Sequence, residues 1–261
     1  MPIRLPLSSL RALLGFGVLL FVWQAVVLLR LVPDEYLPGV PTVLRAAAEL
    51  AGDAGFWRHE GLTLARAAGG LLLAAASGIA VAVLAARYPL LDQALAPLVR
   101  IMLALPPAAL VPLAIFALGL GWPLFAFIIW YAGFWGVYLG ANNALRASEP
   151  VQLQLARTLG YGPWETLWRV RLPAAAPEIF TALRLAAAAS LMATVAAEML
   201  AGKDGLGFLL YDAAFSLQIP QTFALLLVAG GNGVLLNQAV LRLRRAIAGW
   251  QAQLAALAGN A

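Results

Sequence analysis

The chain has 261 residues, 63% hydrophobic and 11% charged, with a formal net charge of +5. Soluble domains carry about 25% charged residues, so this composition excludes a water-solvated globule and calls for a surface that faces lipid. With no cysteine and a single histidine, His59, the chain lacks a disulfide framework, a thiolate metal site and a histidine cluster.

About 20 apolar residues, rising 1.5 Å each, cross a hydrocarbon core of about 30 Å. In chain order such stretches run over 13–31, 62–86, 101–118, 123–141, 179–200 and 223–241. The predicted fold class is therefore all-α, a polytopic membrane protein with about six transmembrane helices. The whole of 1–261 reads as a single transmembrane domain. The first stretch follows Arg4 and Arg11; its apolar core is long for a secretion signal, and Leu31-Val32-Pro33-Asp34 follows it rather than a small-residue cleavage site. It is expected to be a retained helix. Trp23, Trp122, Trp130, Tyr131 and Trp135 lie in or beside spans, where amphipathic rings are common. Gly136 and Gly140 form a small-x-x-x-small pair on the fourth span, weak grounds for a helix-packing seam.

An even span count puts both termini on one side. That side collects Arg4, Arg11, Arg87, Arg100, Arg146, Arg157, Arg169, Arg171, Arg242, Arg244 and Arg245. The other holds Arg30, Arg45, Arg58 and Lys203 among Asp34, Glu35, Glu49, Asp53, Glu60, Asp204 and Asp212. Arginine excess marks the cytoplasm, so both termini are expected there. The basic balance thus follows from topology and gives no reason to invoke nucleic acid.

One long cytoplasmic loop remains, about 142–178. Ser148-Glu149-Pro150 reads as a helix start, with Ser148 capping the free amides. Leu153, Ala156 and Leu159 recur at helical spacing, and Gly160 is placed to leave the helix in the left-handed conformation. A second short helix starts at Pro163, aligns Trp164, Leu167 and Trp168, and is expected to end at Leu172-Pro173. Such an exposed apolar stripe suits either the lipid headgroups or a cytoplasmic partner.

The run Leu155-Ala156-Arg157-Thr158-Leu159-Gly160, then Trp164, then Arg169-Val170-Arg171-Leu172-Pro173-Ala174-Ala175, resembles the EAA loop of bacterial binding-protein-dependent ABC importer permeases. Gly160, Leu172-Pro173 and Ala156 match that pattern, while Gln154 and Leu155 stand where the family has Glu and the first Ala. His59, Thr63, Leu64 and Arg66, the prolines Pro106, Pro107 and Pro112, and Ala196-Ala197-Glu198-Met199 with Gly205-Leu206-Gly207 extend the likeness over about 55–245. They look most like the nitrate, sulfonate and taurine branch.

The resemblance implies the type I importer permease fold. It implies a homodimer, two copies of a cytoplasmic ABC ATPase carrying ATP and Mg²⁺, and a periplasmic binding protein that delivers substrate. This chain would bind no cofactor and catalyse nothing itself, and it would reside in the bacterial inner membrane. Independently, a phosphate-binding loop needs Gly-Lys-(Ser/Thr), and the sole lysine, Lys203, precedes Asp204. The expected ATPase-docking set is Ala156, Arg157, Leu159, Gly160, Tyr161 and Trp164.

Candidates for the translocation path are Arg66, Ser190, Thr194, Glu198 and Asn232. A mid-bilayer charge costs roughly 2.5–3.5 kcal/mol, so Glu198 serves either the path or as a tether for the Gly-rich loop after it. Arg66 either attracts an anion, snorkels, or pairs with an acid. A secondary transporter or channel not driven by ATP is the alternative. It calls for internal repeats and mid-depth acids, and no clear inverted repeat is visible.

Overall fold

The computed structural model describes residues 7–33 and 35–258, with side chains over 14–33 and 35–247. Arg4, Arg11 and Asp34, assigned to membrane sides above, lie outside the residues whose side chains it describes. Every described element is helical: α1 (Leu7–Leu28), α2 (Val40–Gly52), α3 (Ala54–Arg87), α4 (Pro89–Ala104), α5 (Val111–Leu118), α6 (Trp122–Arg146), α7 (Pro150–Thr158), α8 (Pro163–Thr166), α9 (Leu172–Ala201), α10 (Leu206–Phe215) and α11 (Ile219–Ala258).

Four helical stretches are long and apolar enough to cross a membrane: Ala54–Arg87, Trp122–Arg146, Pro163–Ala201 and Ile219–Ile247. They contain the second, fourth, fifth and sixth expected spans. The first expected span lies in α1, whose described apolar portion is Leu14–Leu28.

The third expected span is not a straight helix. α4 and the segment Pro107–Leu118, which opens with a short 3₁₀ turn over Pro107–Leu110, meet at 92°. Pro106 and Pro107 supply no amide hydrogens, and each disfavours helical backbone in the residue before it, so the helix stops at Ala104. With that bent pair as one crossing, the long apolar helices account for five spans.

The core is a three-helix layer of α3, α6 and α9. Close approach is set by glycine: a Cβ on Gly70 of α3 would enter the Ile129 side chain of α6, and one on Gly140 of α6 would enter Ala182 of α9. Gly140 is thus spent on packing within the chain, and Gly136 meets nothing within 4 Å. Tyr138, Ile128 and Leu145 are buried in this layer. Trp130 Nε1 donates to Ser77 Oγ at 2.9 Å and Tyr131 Oη to the Met102 carbonyl at 2.7 Å, while Trp135 Nε1 is buried without a partner among the described residues. Outward-facing Leu72, Leu185 and Met192 are exposed, as lipid-facing positions are.

Two segments read as loops from sequence are helices. α2 lays Val43 and Ala46 against Ala224 of α11, and α10 buries Leu206 and Leu210 with Phe56 and Leu225. They clasp one end of the bundle. At the other end the chain leaves α6 and passes through α7 and α8 before α9.

Candidate functional site

The segment between α6 and α9 is the first candidate. α7 starts at Pro150, whose missing amide hydrogen costs nothing in a first turn. Ser148 does not cap it. Its hydroxyl donates back to the Leu145 carbonyl at 3.2 Å, closing the end of α6 instead, and the cap residue Glu149 makes no side-chain cap bond. The exit follows the expectation for Gly160, which has φ +74°. Gly160 N donates to the Arg157 carbonyl and Tyr161 N to the Ala156 carbonyl, each at 3.0 Å, the paired bonds that close a helix through a left-handed residue.

α8 starts at Pro163 as expected, but Leu172-Pro173 does not end it. The helix continues unbroken from Pro163 to Ala201. A π turn over Leu167–Arg171 makes this possible, with Leu172 N donating to the Leu167 carbonyl. Proline has no amide hydrogen and its ring crowds the carbonyl four residues back, so one wide turn absorbs Pro173.

This geometry presents an apolar face. Leu155, Leu159, Trp164 and Trp168 are exposed, and Arg169 stacks over the Tyr161 ring at 5.5 Å, coupling the second short helix to the first. Arg157 and Gly160 are also exposed, and Tyr161 is half-buried. Ala156 corrects the expected docking set: it is 1% exposed and faces inward, so it supports the face without belonging to it. Behind the face lies a recess of about 420 Å³ lined by Arg87, Arg157, Arg171, Tyr161, Thr166 and Leu167 among others. Its three guanidiniums make no ion pair among the described residues.

The opposite pole holds a buried polar cluster. Glu198 of α9 is 1% exposed and Arg66 of α3 is 5% exposed. Arg66 Nη1 lies 2.8 Å from Glu198 Oε1, and Nη2 pairs with Asp204 Oδ1. Glu198 Oε2 accepts from Thr63 Oγ1 at 2.8 Å and from Gly207 N at 3.0 Å. Thr63 Oγ1 accepts from Leu206 N at 2.7 Å, and His59 Nδ1 accepts from Gly205 N at 2.9 Å. Phe125 places its ring 4.1 Å from the Arg66 guanidinium carbon. Two charges leave water, but each finds several partners, which is the condition under which a buried pair is tolerated.

Gly205, at φ +100°, is required twice over. No L side chain takes that backbone easily, and a Cβ there would enter the Glu198 carboxyl. Arg66 and Glu198, expected as candidates for the path, are thus engaged with one another and with the loop at 202–207. Thr194 Oγ1 donates to the Ser190 carbonyl at 2.7 Å. Ser190 is fully buried in the layer, and its hydroxyl finds no partner among the described atoms. Asn232 of α11 is 2% exposed beside Glu60 of α3.

Glu60 was assigned to an outer loop from sequence and is instead 5% exposed inside α3. The signal was available, since Glu60, Thr63 and Arg66 recur every three residues, which places them along one helix face. Arg184 on α9, inside an expected span, was passed over.

The described architecture is a polytopic bundle of long apolar helices with a buried polar cluster at one pole and an exposed helical face at the other. The family model for the binding-protein-dependent transport system inner membrane component matches residues 78–250. The chain is 31% identical over 258 residues to the taurine transport system permease protein TauC of Escherichia coli (strain K12), covering 96% of this chain and 94% of that protein. It is 30% identical over 244 residues to the bicarbonate transport system permease protein CmpB of Synechocystis sp. (strain ATCC 27184 / PCC 6803 / Kazusa), covering 89% and 87%. It is 32% identical over 188 residues to the nitrate import permease protein NrtB of Leptolyngbya laminosa, covering 72% and 67%.

The chain belongs to the family of binding-protein-dependent transport system inner membrane components. It is a multi-pass, non-catalytic permease subunit of an ABC importer, and membership implies an ATPase and a binding protein as partners.

Proposed function

We propose that the chain forms a homodimer that carries a small oxyanion into the cytoplasm by alternating access. Two copies of an ABC ATPase, holding the ATP and Mg²⁺, drive it. Both termini, and with them the α7–α8 segment, lie on the cytoplasmic side, as the arginine distribution favours. The substrate class rests on the relatives, whose names give taurine, bicarbonate, nitrate and, for a further one from Bacillus subtilis (strain 168) at 27% identity, aliphatic sulfonates.

The observation that carries the docking reading is the exposed face of Leu155, Leu159, Trp164 and Trp168 on two short helices. The second of them, which starts at Pro163, runs without a break into the membrane-crossing helix α9. A displacement imposed on α8 is therefore delivered to the core layer along one rigid element. Arg157, Gly160 and Tyr161 complete the face, with Ala156 as the packed support beneath it. On the path, Ser190, Thr194 and Asn232 remain the candidates from the original set, while Glu198 and Arg66 act as the tether for the outer loop.

Gly160→Asp tests the docking. Nothing lies within 4 Å of a Cβ at this position, so the side chain meets no clash, but φ +74° strains any L residue there and the face gains a carboxylate. The expected result is ATPase that no longer co-purifies, or ATP hydrolysis without uptake, with the permease melting temperature lowered only by the strain of one left-handed residue, about 1–2 kcal/mol. Uptake at the parental rate would refute the docking face. Uphill uptake by this chain alone in liposomes would refute the importer reading altogether.

A further inference from the structure

We infer that the groove between α9 and α11, centred on Arg184, is a cationic site for the transported anion. The groove is open on one side, has a volume of about 650 Å³ and is lined by Thr181, Arg184, Leu185, Gly230, Val234 and Asn237 among others. That volume lies within the range of small-molecule sites, roughly 300–1,000 Å³. No carboxylate lines it. Arg184 is exposed and makes no ion pair or hydrogen bond among the described residues.

Arg184 sits roughly 26 Å along the helix axis from Ala201, at 1.5 Å per residue, toward the α8 end of the expected span 179–200. Arg66, the other arginine inside a span, is neutralised by Glu198 and Asp204. Arg184 has no such partner. Leu185 and Val234 line the groove beside it, Gly230 and Gly233 open the α11 wall, and Asn237 adds an amide. A guanidinium fork with an adjacent amide donor matches the oxygens of a nitrate, sulfonate or bicarbonate. A second copy, as proposed above, would close the groove against lipid and turn it into a passage.

The site's place in transport rests on the anion-importer reading; its cationic character does not. The simpler alternative is an arginine that snorkels to the headgroups from a lipid-facing groove.

The chain has no cysteine, so Thr181→Cys gives a single reactive thiol in the groove. With the full transporter in proteoliposomes, its modification is followed with a sulfonate-bearing and an ammonium-bearing thiosulfonate, each normalised to a free thiol. The sulfonate reagent is expected to react about tenfold faster, as the field of one nearby cation dictates. Adding Arg184→Gln should abolish that preference, and Arg184→Lys should keep it. In the background without the cysteine, Arg184→Gln should cut uptake roughly tenfold or more while binding-protein-stimulated ATP hydrolysis persists, and Arg184→Lys should retain part of the uptake.

A thiol that reacts with neither reagent, or with both alike whatever residue stands at 184, would overturn the site, as would full uptake by Arg184→Gln. The two readings fail separately. Anion preference without any ATP-driven uptake removes the importer and leaves the cationic groove. ATP-driven uptake indifferent to residue 184 removes the site and leaves the importer.

Discussion

The two ends of α9 solve opposite problems. At its C-terminal end the chain turns at Gly202 and is tied back at once: Gly205, Leu206 and Gly207 each donate a backbone amide to a side chain of the bundle, and Arg66 reaches Asp204. At its N-terminal end the preceding segment leaves Val151, Leu155, Leu159, Trp164 and Trp168 exposed and three arginines in a recess without carboxylates. A polar group is buried where it has partners, and an exposed apolar face marks a surface that a partner or lipid covers. One end is complete within the chain; on the docking reading proposed above, the other is completed in an assembly.

That contrast predicts two different failures. Glu198→Ala strikes the complete end and has the largest effect. Arg66 keeps Asp204, but Thr63 and Gly207 lose their acceptor, and a buried pair broken on one side costs about 3–5 kcal/mol. The variant should unfold at markedly lower temperature in detergent, with the loop at 202–207 becoming a protease-sensitive point. Glu198→Gln, which still offers an oxygen to Gly207, should lose less. A melting curve unmoved by Glu198→Ala would mean that the outer loop is held by its apolar contacts alone.

Trp168→Ala strikes the incomplete end. The side chain is 56% exposed, so the permease itself should melt as before. At a buried interface, truncating a tryptophan costs about 2 kcal/mol or more, some thirtyfold in affinity. Titration of the purified ATPase onto permease in nanodiscs reads that loss directly. If Trp168→Ala instead lowers stability and leaves ATPase affinity intact, the tryptophan packs on headgroups and the docking face is elsewhere.

Sequence alone showed the spans best, because an apolar run of about 20 residues leaves few alternatives. It showed the turn at Gly160 for the same kind of reason, since a left-handed exit favours one residue type. The break at Pro106-Pro107 falls inside the expected span 101–118 and was not read, although two consecutive residues without amide hydrogens carried the signal. Pro173 carries the same local signal with the opposite outcome, because a π turn absorbs it; propensity does not say which relief the tertiary structure chooses. α2 and α10 were hidden because short helices of mixed composition gain their stability from what they pack against. The pairing of Arg66 with Glu198 joins residues 132 apart, and no local pattern encodes a partner at that distance.

The smallest expected effect comes from a polar cluster near the incomplete end that resembles the sealed one only in its residue types. Asp92 of α4 accepts from Asn142 Nδ2 at 2.6 Å and pairs with Arg146 at 2.9 Å, joining α4 to α6. Here the side chains are 43% exposed for Arg146 and 22% for Asp92, so water competes for both charges and salt screens them. Arg146→Gln should therefore cost no more than about 1 kcal/mol, against several for Glu198→Ala. Its effect should shrink as salt is raised, while the Glu198 effect should not. Melting both variants at low and high ionic strength separates the two cases. An Arg146 variant as damaged as the Glu198 variant, and indifferent to salt, would show that burial is not what distinguishes the two ends of this bundle.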